Sequence, residues 1–71
     1  MPSKDQLEAR LYKLQGIDVI SYSPEKLLEA AIEQEKLAII CGPFDIAYIH
    51  FMGLANTYIK AAALAERLQK H

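Results

Sequence analysis

Apolar residues recur along this chain at helical intervals, and their density rises from the N-terminus to the C-terminus. Leu7, Leu11 and Leu14 fall at i, i+4 and i+7, a one-sided amphipathic stripe. Ser3 stands three residues before Gln6, the spacing at which each side chain satisfies an unpaired backbone N–H at a helix start. Gly16 is a natural stop. These signals predict a helix over residues 4–15. Lys4 with Glu8 and Gln6 with Arg10 should lie on its outer surface, and its leucines should face inward.

Residues 17–22, IDVISY, are rich in β-branched side chains and are bounded by Gly16 and Ser23-Pro24. They suit a short strand or an extended connector. A second helix start follows. Ser23 can cap, Pro24 sits where a missing N–H costs nothing, and Glu25 meets the positive end of the helix dipole. Leu28, Ala31 and Ile32 form the expected inner stripe, with Glu25, Glu29 and Glu33 on a solvated one.

Two endings compete for this helix. It can run to Cys41 and stop at Gly42-Pro43. However, Leu37 to Cys41 is apolar all round, and Glu35 falls in the inner phase of a continuous helix. Such a run also suits a buried strand. That reading gives an α+β fold, in which the crossover β(17–22)–α(24–35)–β(37–41) is completed across a dimer, because two strands alone make a poor sheet. The continuous helix 24–41 is preferred.

The last pattern is the strongest. Asp45 can cap, and helical periodicity continues to about residue 70, with Lys70 and His71 suited to the negative end of the dipole. Ala47, Phe51, Leu54, Ala55, Tyr58, Ala61, Ala62 and Ala65 make a broad apolar face that Tyr48, Met52 and Ile59 widen. His50, Gly53, Asn56, Thr57, Lys60 and Arg67 make the polar strip. A helix over 45–70 is about 39 Å long at 1.5 Å per residue. A compact domain of this size is only about 29 Å across. The rod should therefore protrude while remaining apolar. The predicted fold class is all-α: one small domain over 1–71, a helical bundle dimerised through its long C-terminal helix.

Composition sharpens that expectation. The chain has 71 residues, 52% apolar and 24% charged, which argues against disorder. Chains this short bury only roughly 60% of their unfolded surface and need extra support. A single cysteine excludes an internal disulfide, and no residues have metal-ligand spacing. Oligomerisation or a partner remains. With net charge −1 and scattered basic residues, the chain lacks the concentrated positive charge that nucleic-acid binders use. The opening MPSKDQLEAR holds no apolar signal region, and the run from Ile46 to Ile59 is shorter than the roughly 20 residues of a membrane span. With one free cysteine, a cytoplasmic protein away from membranes is expected.

Catalytic chemistry finds little support. His50 has no nucleophile with a geometric claim on it, and Cys41 reads as an inert cysteine ahead of a turn. No phosphate-cradling glycine loop occurs. The expectation is a non-enzymatic regulator or adaptor without a cofactor, self-associating as a homodimer or higher oligomer and binding a partner protein. Its interface would use Tyr48, Phe51, Met52, Leu54, Ala55, Tyr58, Ile59 and Ala62, since aromatic and aliphatic anchors bury area at low entropy cost. Glu25, Glu29 and Glu33 would set charge preference. The alternative is a dimeric nucleic-acid-binding regulator that gathers Lys4, Arg10 and Lys13 on one surface.

Overall fold

The computed structural model describes residues 2–70. Among them are three helices and no strand: α1 (Lys4–Leu14), α2 (Pro24–Cys41) and α3 (Ile46–Gln69). The expectation for His71 lies outside the described residues. Local chemistry sets the helix starts. The Ser3 hydroxyl accepts from the Gln6 N–H at 3.2 Å, while the Gln6 side chain accepts from the Ser3 N–H at 3.1 Å. Ser23 accepts from the Lys26 N–H at 3.2 Å, with Pro24 as the first helical residue. Asp45 accepts from the Ala47 N–H at 2.9 Å. Gly42 ends α2 at φ +87°, a backbone state that side-chain-bearing residues rarely adopt.

The α+β alternative is overturned. Residues 37–41 complete α2, and residues 17–22 form turns rather than a strand. Asp18 explains the second outcome. Its carboxylate accepts from the N–H groups of Ile20 and Ser21 at 3.1 Å each, and its carbonyl accepts from the Tyr22 N–H at 3.0 Å. The β-branched residues serve another purpose. Ile17 and Val19 are buried as plugs beneath α1 and α3.

Helices α2 and α3, joined by a short turn at 42–45, form an antiparallel hairpin. Its seam is made of small side chains: Ala31 and Ala38 of α2 and Ala55 of α3 are all buried. The main core lies at the end away from the turn. There Ala9, Ile17, Val19, Leu27, Ala61, Ala62, Leu64 and Ala65 cluster, flanked by Tyr12, Tyr58 and Leu68. At the turn end the hairpin stands alone, because α1 covers only the C-terminal part of α3.

Three sequence expectations about facing are corrected. Leu7, Leu11 and Leu14 point outward, Leu14 being 84% exposed. Instead α1 turns Ala9 and Tyr12 to the core, an orientation held by the ion pair of Asp5 with Arg67. On α2, Ala31 is buried as expected, but Leu28 and Ile32 are exposed, because Leu27, Ala31 and Ala38 occupy the seam. Glu35 is exposed for the same reason. Alanine permits close helix approach, and that selects the small face over the large one.

The resulting shape is long, with extents of 44 × 21 × 14 Å and a radius of gyration of 13.3 Å. A compact chain of this length has a radius of about 11 Å.

Candidate interaction surface

Among the described residues, fifteen large apolar side chains remain exposed, and many of them are regularly arranged. On α3, Ile49, Met52, Asn56, Ile59 and Ala63 recur at alternating intervals of three and four, and all five are exposed. On α2, Leu28, Ile32, Glu35 and Ile39 do the same. This is the spacing of a seam between packed helices. At 3.6 residues per turn, each stripe lies about 110° round its helix from the buried seam, in the same rotational sense. Because the two helices run antiparallel, equal rotations carry both stripes to the same side of the hairpin. Together they make one largely apolar face spanning both helices, interrupted by Glu35 on α2 and Asn56 on α3. Ile39 is 67% exposed, Ile49 73% and Ile59 49%.

Polar groups frame this face unequally. Glu25, Glu29 and Lys36 border the α2 edge, and Lys60, which shares a cleft with Glu8 of α1, borders the α3 edge. Glu33, further round α2, pairs with Lys36 at 3.6 Å. The turn end adds Ile40, Ile46 and a wholly exposed Phe44. Leu7 and Leu14 lie exposed on the outer side of α1, whereas Leu11, also exposed, lines a cleft between α1 and α3 with Glu8, Tyr12, Asn56, Thr57 and Lys60.

The residues expected at an interface are divided by the fold. Met52 and Ile59 lie on the exposed face. Tyr48, Phe51, Leu54 and Tyr58 are half-buried against the rest of the chain, and Ala55 and Ala62 are buried within it. Ile49 and the α2 stripe were missed by sequence reasoning. The signal lay in the three-and-four spacing, which runs beside the core stripe in each helix. His50 is exposed and meets Phe51 edge-on, with ring centroids 5.5 Å apart. Cys41, half-buried, ends α2.

A shallow cleft of about 440 Å³ opens between α1 and the connector, lined by Gln6, Arg10, Lys13, Asp18, Ile20 and Leu68 among others. Arg10 and Lys13 meet there, whereas Lys4 is not part of it. Asp18 is held below the ordinary carboxylate range, first by the Ser21 N–H and then by the Ile20 N–H. Among the described residues, no three His, Cys, Asp or Glu side chains converge as metal ligands. No helix among the described residues is long and apolar enough to cross a membrane. Comparison with family models, with characterised proteins and with solved structures finds no match to this chain.

Proposed function

We propose that this chain is a small non-enzymatic regulatory or adaptor protein that self-associates and holds a partner protein against its apolar helix surfaces. The observation that carries this reading is the alignment of exposed isoleucine, leucine and methionine side chains into stripes with helix-packing spacing. Scattered apolar residues are normal on a protein surface; contiguous apolar faces mark contact sites. The face on α2 and α3 and the exposed Leu7 and Leu14 of α1 point to different sides, which gives self-association and partner binding separate ground. The exposed carboxylates of Glu25, Glu29 and Glu33 favour a partner with basic residues beside its apolar contact. The nucleic-acid alternative has less support, since Arg10 and Lys13 share a cleft without Lys4.

The test is reconstitution. A protein captured from the source cell should rebind the purified chain directly. Binding should be lost in either Leu7→Asp/Leu11→Asp or Ile49→Asp/Met52→Asp. Equal binding by the unmodified chain and both variants would defeat the reading, as would retention on duplex DNA that weakens steeply with added salt.

A further inference from the structure

We infer that the α2–α3 face is occupied by a second copy of this chain, stacked face to face so that α2 of each protomer lies over α3 of the other. The inference rests on the reading of the chain as self-associating, and it names the surface, the occupant and the arrangement.

Area is the first argument. The chain exposes 5308 Å², whereas a compact monomer of its 8.0 kDa mass exposes about 4,450 Å². The surplus, about 850 Å², matches the roughly 800 Å² that each partner contributes to a standard interface. An elongated hairpin with an uncovered flank has that surplus; a second protomer on the flank removes it.

Self-complementarity is the second. Each stripe alternates three and four residues, so each supplies both the knobs and the holes that the other needs. Two hairpins stacked this way form a four-helix bundle around Leu28, Ile32, Ile39, Ile49, Met52 and Ile59 of both copies, with Glu35 and Asn56 as the polar groups of the same seam.

Charge selects the arrangement. Counted from the turn, Lys60 on α3 stands at a height between Glu29 and Glu25 on α2. These groups sit on opposite outer edges of one protomer. A two-fold axis parallel to the helices places α2 over α3, bringing Lys60 of one copy between Glu25 and Glu29 of the other. A perpendicular axis places α2 over α2 and leaves Lys60 away from Glu25 and Glu29 of the other copy.

Sedimentation equilibrium on the purified full-length chain, with no partner present, tests this. At about 50 μM the unmodified chain should have a mass near 16 kDa, twice its 8.0 kDa. Ile59→Asp and Ile32→Asp should each raise the dissociation constant at least about a hundredfold with helicity retained, because each buries a charge in the seam. Leu14→Asp, on the far side of α1, should leave the mass at the dimer value. If Ile59→Asp loses helicity, Ile49→Asp decides in its place. For the arrangement, Glu29→Lys and Lys60→Glu should each weaken the dimer about threefold at low salt, and the double variant should recover it.

A monomeric unmodified chain overturns the proposal, as does a dimer indifferent to Ile59→Asp or disrupted equally by Leu14→Asp. Charge reversals that add rather than compensate overturn the stacking of α2 on α3. A monomer that still binds its partner would sink this inference alone; a dimer with no partner would sink only the adaptor reading.

Discussion

The side-chain amide of Gln69, the last residue of α3, donates to the carbonyl of Tyr22 at 2.8 Å. It also reaches the carbonyls of Val19 at 3.0 Å and Ile20 at 3.3 Å. One amide thus fastens the whole connector between α1 and α2 to the far end of the chain. Its two N–H donors serve three acceptors, so no acceptor group can replace it without repulsion.

Gln69→Ala should cost about 1 kcal/mol, the ordinary net value of lost hydrogen bonds. Gln69→Glu should cost more near neutral pH, about 2 kcal/mol, because a carboxylate would face three carbonyl oxygens. The carboxyl introduced there would have its folded pKa raised above about 4.3. Its deficit is therefore largest at high pH and shrinks as pH falls and the group gains a proton to donate. Urea unfolding of both variants across pH checks this; a Glu variant no worse than the Ala variant would refute the geometry.

Leu64 is wholly buried between α1 and the rest of the core. Leu64→Ala should lose about 3 kcal/mol through transfer and cavity terms. That is a large share of the roughly 5 kcal/mol expected for a chain this size. Leu14→Ala, at an exposed position, should stay within about 0.5 kcal/mol. Matched unfolding curves would separate the two, and equal losses would mean that α1 is turned the other way.

Asp18 gives the connector a pH response. Its folded pKa is lowered by the Ser21 and Ile20 N–H groups. The carboxylate therefore contributes stability that is complete above about pH 4 and fades as pH falls through the lowered value. The unfolding midpoints of the unmodified chain and Asp18→Ala should differ by a constant amount from neutral pH down to about pH 4, then converge. A constant gap in more acidic buffer would dissociate the Asx contacts from stability.

The Arg67 guanidinium spans both carboxylate oxygens of Asp5, at 3.3 Å each, and lies 4.0 Å from Glu8. The group is exposed, so Arg67→Ala should move the global unfolding midpoint only slightly. The loss should fall locally. Amide exchange at Ala9 and Tyr12 should quicken while Ala55, in the hairpin seam, keeps its protection. Equal acceleration at both places would mean that α1 does not open separately.

Helix ends were legible in the sequence because capping is local. Ser3 with Gln6, Ser23 with Pro24, and Asp45 each act within three residues, and each cap forms as predicted. Helix facing was not legible. Both α1 and α2 carry two apolar stripes, one of large residues and one containing alanines, and hydrophobicity alone ranks the large stripe first. Contact distance reverses the order: Ala9, Ala31 and Ala38 let backbones approach, so Leu11 and Ile32 are left outside. The same reversal affects the candidate surface. Met52 and Ile59 were visible as anchors, while Ile49 was concealed within a segment apolar on nearly every side.

Ala38, Ala61 and Ala65 have no exposed surface at all. A methyl group fits there, and each added carbon must push two backbones apart, which in a tight core costs about 1–3 kcal/mol. Leu14 or Phe44, by contrast, can drift to many other side chains without disturbing the hairpin. Descendants of a common ancestor would then share their smallest residues and differ in their largest, and kinship would be traced by what is missing beyond the β-carbon.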